Sequence, residues 1–120
     1  MQPDFRRRAG KALASDPVLR RLVDGLVHAL HPEAIYLFGS RAREDGDADS
    51  DYDLMVIVAA SDQPVHVRSR SVRPLLWEVP VPVDVLVWTR EEFERRLPVV
   101  ASLPATIRRE GRLIYVARAA

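Results

Sequence analysis

Asp51 and Asp53 stand two residues apart at the mouth of an apolar run, Leu54 to Val58. Alternate residues of a strand leave the same face, so both carboxylates aim at one point while Tyr52 points the other way. Two such charges repel unless a cation lies between them. A hard divalent ion, magnesium above all, suits an all-oxygen donor set. Upstream, a second apolar run, Ala34 to Phe38, closes on Gly39-Ser40. Glycine lets backbone approach a ligand. Ser40 brings a hydroxyl and a backbone N–H at the start of a short helical turn, where phosphate oxygens are attracted. Arg41 and Arg43 follow and suit a polyphosphate tail. A Gly-Ser pair by itself also occurs in ordinary strand-to-helix turns.

Asp84 is the third acid of interest. It interrupts the apolar run Val81-Pro82-Val83-Asp84-Val85-Leu86-Val87-Trp88. An ionised carboxylate inside such a strand costs several kcal/mol, in rough terms, unless it is paired or bound to metal. Beside the strand that bears Asp53 it would complete a three-carboxylate cage. At a strand end, on an exposed edge or paired with an arginine it needs no ligand.

The acidic stretch Glu44 to Asp49 offers Asp45, Asp47 and Asp49 in alternation. A calcium loop of the EF-hand kind requires glycine at its sixth position and glutamate at its twelfth. Counted from Asp45 these are Ser50 and Val56; counted from Asp47 they are Tyr52 and Val58. Both registers fail, and the stretch reads as a solvated loop. His28, His31 and His66 have no metal-ligand spacing. Trp77 and Trp88 read as core or partner-contact residues.

These residues need elements to position them. Asp16-Pro17 starts a helix, and Val18, Leu19, Leu22, Val23, Leu26, Val27 and Leu30 give it one apolar face before His31-Pro32 ends it. Strands are expected over Ala34–Phe38, from about Asp53 to Val58, and over Val81–Trp88, where Pro80 and Pro82 favour an edge or a strand start. Gln63 to Leu76 reads as one helix. Thr89 and Glu92 form a capping box for a helix through Leu97. Ser102 to Glu110 reads as a short helix closed by Gly111, and Leu113 to Val116 as a last strand. The expected fold is α/β (α+β), a small mixed β-sheet with helices packed on it.

The 120 residues fit a single domain, 1–120, in which 1–14 form a basic N-terminal helix or a frayed arm. A net charge of +1 gives no global case for nucleic acid. Lys11 is the single lysine among 18 basic residues, a bias that suits phosphate contacts and equally a codon preference. The absence of cysteine excludes disulfides, thiolate metal sites and a cysteine nucleophile. Leu54 to Ala60, the longest apolar run, cannot span a bilayer, and no signal-peptide pattern opens the chain. A cytoplasmic location is expected.

Gly39-Ser40, ten residues, then Asp51-Tyr52-Asp53, with Asp84 on a later strand, resembles the pattern of the nucleotidyltransferase superfamily that includes DNA polymerase beta. Leu37-Phe38-Gly39-Ser40-Arg41-Ala42-Arg43 and Ser50-Asp51-Tyr52-Asp53-Leu54-Met55-Val56 look like the minimal nucleotidyltransferases (MNT proteins), often paired with a HEPN-domain protein in toxin–antitoxin modules. The likeness covers about residues 17 to 116. Glu44 departs from it, since many relatives carry glycine there; Gly46 offers a nearby substitute. The resemblance implies ATP or another nucleoside triphosphate held near Gly39, Ser40, Arg41 and Arg43. It implies one or two Mg2+ ions on Asp51, Asp53 and Asp84, with Asp84 also placed to receive the acceptor's proton. It implies transfer of AMP to a hydroxyl, a tyrosine of a HEPN toxin being the family precedent, with this chain as the antitoxin. A non-catalytic antitoxin that masks its partner and a small-molecule enzyme of the aminoglycoside-modifying kind are the competing readings. Homo-oligomers and a nucleic-acid acceptor remain open, the latter less favoured.

Overall fold

The computed structural model of the chain describes residues 16–43 and 50–117. The basic segment 1–14 and the acidic loop 44–49 lie outside the described residues.

Helix α1 (Pro17–Leu30) begins where the Asp16 side chain accepts a hydrogen bond from the Leu19 N–H at 3.1 Å. Such a cap satisfies one of the helix's unpaired donors. It ends at His31, in the left-handed region at φ 48°, and Pro32 forbids continuation. Strand β1 (Ala34–Phe38), the single helical turn α2 (Ser40–Arg43) and strand β2 (Tyr52–Val58) follow. Then come α3 (Val65–Arg70), a 3-10 turn (Arg73–Leu76), β3 (Val83–Thr89), α4 (Arg90–Arg96), α5 (Leu103–Glu110) and β4 (Arg112–Val116).

The sheet order is β3-β2-β1-β4. β1 runs antiparallel to β2 and β4, and β2 runs parallel to β3, which makes the sheet mixed as expected. The parallel pair needs a crossover, supplied by α3 and the 3-10 turn. On one face Leu54, Val56, Val85 and Val87 pack with Leu19, Leu22, Val23 and Leu26 of α1. On the other, Met55 and Ile57 pack with Phe93 of α4 and Ile107 of α5. Helices cover both faces, so β2 is apolar at consecutive positions rather than alternating.

Two expected elements change. The single helix over Gln63–Leu76 is two pieces, because Pro74 lacks the N–H a continuous helix needs. The strand expected from Val81 begins at Val83. Pro80 and Pro82 cannot donate to the ladder, although the Pro82 carbonyl still accepts from the Tyr52 N–H at 3.1 Å. β3 is an edge strand, and α3 covers part of that edge with side chains. The Val87 N–H donates to Ser69 Oγ (3.2 Å), and the Val87 carbonyl accepts from Arg68 Nη1 (2.9 Å). An edge so occupied is closed to strand addition there. Arg68 also makes a two-pronged pair with Glu92 (2.8 and 2.9 Å), the residue whose carboxylate caps Thr89 N–H at 2.8 Å. One buried arginine thereby joins α3, β3 and α4. Among the described residues, no helix is long and apolar enough to cross a membrane.

Candidate active site

The site forms where β1 ends and β2 begins. Register pairs Phe38 with Asp53 across the antiparallel strands, so the next residue, Gly39, turns beside the Asp53 side chain. Gly39 has φ +76°, a left-handed conformation that side chains disfavour. A Cβ at this position would also collide with the Asp53 carboxylate. Two independent constraints therefore demand glycine. The Gly39 carbonyl then accepts from the N–H groups of Ala42 (3.1 Å) and Arg43 (3.3 Å), which fixes α2 directly after it. From β4, Arg112 Nε donates to the Ala42 carbonyl at 3.0 Å and ties this turn to the far side of the sheet.

On the other side, Asp53 is in register with Asp84 across the parallel β2/β3 pair. Residues in register share a face, which is the one that carries Met55, Leu86 and Trp88. Asp51 precedes β2 and is exposed; Asp53 is half-buried; Asp84 is exposed at the start of the edge strand. Burial pushes the Asp53 carboxyl above its ordinary value, and the negative charges of Asp84 and then Asp51 push it further. The site is thus a concentration of negative charge with one partly desolvated member. Among the described residues, no group of three or more His, Cys, Asp and Glu side chains is gathered at ligating distance. The donors are all carboxylate oxygens, the set a hard divalent cation prefers, and mutual repulsion is what such a cation would relieve.

Tyr52 leaves β2 on the opposite face and is buried. Its hydroxyl donates to Asp16 Oδ2 at 2.7 Å, so one carboxylate caps α1 and anchors the residue between the two site aspartates. Burial, followed by the hydrogen bond to Asp16 and the Asp16 charge, pushes the Tyr52 phenol up to about 12, against the opposing pull of Arg41. The Arg41 guanidinium lies 4.0 Å from the Tyr52 ring centroid, a cation–π distance. Arg41 also donates through Nε to the Ser50 carbonyl (2.7 Å) and stands 3.9 Å from Asp16 Oδ2. Arg41 thereby bridges α2, the residue before Asp51 and the cap of α1.

The structure brings Gly39, Asp53 and Asp84 into one neighbourhood, with Ser40 at the head of α2 and Asp51 at the entry of β2. Arg43 is exposed at the end of α2. The Asp16–Tyr52–Arg41 cluster was not foreseen from sequence as a unit: Asp16 reads only as a cap, and 36 residues separate it from Tyr52. The single hint is that Tyr52 must point inward if its neighbours point to the site.

Comparison with known proteins agrees with this geometry. The family model described as "Nucleotidyltransferase domain" matches residues 19–114. Among curated protein sequences none matches. A crystal structure from Sulfolobus solfataricus, of a protein provisionally named a nucleotidyltransferase, is similar with a TM-score of 0.62 and 21% identity. That match covers 90% of this chain and 86% of the other. A chain of a toxin–antitoxin crystallised with AMP-PNP is similar with a TM-score of 0.58 and 20% identity, covering 82% of this chain and 73% of its own. At such identities the two structures speak for the fold; the family model, which spans most of the chain, speaks for the family. This chain belongs to the nucleotidyltransferase domain family.

Proposed function

We propose that the protein is a magnesium-dependent nucleotidyltransferase that moves AMP from ATP to a hydroxyl on a partner protein, a HEPN-domain toxin tyrosine, and so acts as the antitoxin. The observation that carries the reading is the juxtaposition of Gly39 with Asp53 and of Asp53 with Asp84 across two neighbouring strands. The toxin–antitoxin relative crystallised with AMP-PNP supports the choice of an adenine nucleotide and of a protein partner.

In this reading the Gly39-Ser40 turn receives the phosphates through backbone N–H groups and the Ser40 hydroxyl, with Arg43 and Arg41 beyond. Arg41 also holds the turn against Tyr52. Asp51, Asp53 and Asp84 are the residues that would hold Mg2+. When bound, the ion supplies positive charge to the polyphosphate and to the carboxylates themselves. The acceptor oxygen forms a bond to the α-phosphorus as the bond to the β-phosphate oxygen breaks, and pyrophosphate leaves. Asp84, exposed at the strand start, receives the hydroxyl proton. The chain's contribution is mainly position and electrostatics. The test is transfer of label from α-labelled ATP to a co-expressed HEPN-domain partner, comparing wild type with Asp53→Ala. Neutralisation of the partner by both variants, with no label, would instead make the chain a binding antitoxin.

A further inference from the structure

Beside Asp84 lies a cavity of about 310 Å3, between α3 with its 3-10 turn and the start of β3. Its lining is divided by charge. Asp84 stands on the strand side; His66, Ser69, Arg70 and Arg73 stand on the helical side. His66 and Arg70, four apart on α3, share a helix face, and Arg73 joins them from the start of the 3-10 turn.

The arginines here differ from others in the fold. Arg68, two positions before Arg70, is buried and paired with Glu92. Arg90 and Arg95 have glutamate partners. Among the described residues no hydrogen bond or ion pair engages the side chain of Arg70 or Arg73, and neither pairs with Asp84 across the cavity. The cavity thus has an acidic end at the candidate active site and a basic end whose two exposed arginines have no carboxylate partner among the described residues.

A surface suited to protein adjoins it. The 3-10 turn that lines the cavity with Arg73 and Leu76 also presents Leu75, 41% exposed, and is followed by Trp77, 83% exposed, both lining a second cavity against Val18 and Arg21 of α1. Tryptophan and arginine together mark protein interfaces. A nucleic-acid strand would use them too, but it would run past Glu78, exposed beside Trp77, and past the site aspartates. Within the cavity the arginines stand on one wall, opposite Asp84, where a polyanion would meet like charge.

We infer that this cavity is the acceptor subsite and that it selects a hydroxyl carried on a protein segment with a carboxylate beside it. The hydroxyl faces Asp84, and the carboxylate meets Arg70 and Arg73. The inference rests on the nucleotidyltransferase reading for the role of Asp84, but the charge selection is a property of the cavity alone.

The test is an amide-shift titration of the labelled full chain with short tyrosine peptides that differ only in glutamate or glutamine beside the tyrosine. The expected result is that the glutamate peptide shifts Ser69, Arg70, Arg73 and Asp84 and binds about tenfold more tightly than the glutamine peptide, the difference a charge-assisted contact supplies. Arg70→Ala with Arg73→Ala erases that preference; Arg70→Lys with Arg73→Lys keeps part of it. Equal binding of the two peptides, shifts elsewhere or none, or tighter binding of a single-stranded oligoribonucleotide at the same residues would overturn the inference. ATP with magnesium, titrated separately, reads Gly39, Ser40 and Asp53. Failure there would sink the nucleotidyltransferase reading while the peptide result still judged the cavity.

Discussion

Gly39 and Asp53 fit together only while position 39 lacks a side chain: the backbone of one occupies the space beside the carboxylate of the other. The turn that would receive phosphates and the acid that would hold metal are therefore one packing unit. Gly39→Ala should displace Asp53 and strain a backbone at φ +76°, at a cost of about 1–3 kcal/mol. Thermal unfolding would measure that loss, and nucleotide transfer should fall far more than stability does.

Asp53 is held in a negative environment. Burial and the charges of Asp84 and Asp51 raise its pKa. A carboxyl raised on folding contributes stability below its unfolded pKa and forfeits it as pH rises through the folded value. Asp53→Asn should therefore stabilise the metal-free protein at neutral pH by roughly 0.5–1 kcal/mol. Added magnesium should raise the Tm of the wild type and leave that of the variant unchanged.

Glu92 has the opposite sign. The hydrogen bonds from Arg68, aided by those from Thr89, hold its carboxyl down at about 2, below the ordinary 4.5. Its contribution is present above pH 4.5 and is lost as pH falls toward 2. Arg68→Ala removes the pair and leaves the Val87 carbonyl without its arginine donor, which should cost about 3 kcal/mol at neutral pH. The acid limb of a Tm-versus-pH curve should be flatter in Arg68→Ala than in wild type.

The hydroxyl of Tyr52 holds the Asp51–Asp53 segment to the start of α1 through Asp16. Tyr52→Phe keeps the ring under Arg41 and deletes one partly buried hydrogen bond, worth about 1 kcal/mol. Chemical denaturation should show that loss, and transfer activity should drop several-fold because the carboxylates on either side are less firmly placed.

Much of this was legible in the sequence, for local reasons. The cap at Asp16, the strand Ala34–Phe38 and the Thr89–Glu92 capping box each depend on residues within a few positions of one another. Asp53 heads one apolar run and Asp84 interrupts another, which points to neighbouring strands, whereas the exposure of Asp84 at the start of an edge strand depends on the whole sheet. Pro74 carries a local signal for the break in the helix expected over Gln63–Leu76. What could not be read was long-range. Arg68 resembles any other arginine until α3 is laid along the β3 edge, and nothing local to Arg41 shows that the Tyr52 ring lies beneath it.

The most direct measurement compares ATP labelled at the α-phosphate with ATP labelled at the γ-phosphate, in magnesium, with a HEPN-domain protein present as the proposed partner. The account predicts label on the partner from the α position alone, lost in Asp53→Ala. Label from the γ position, or α-label that survives Asp53→Ala, would contradict it.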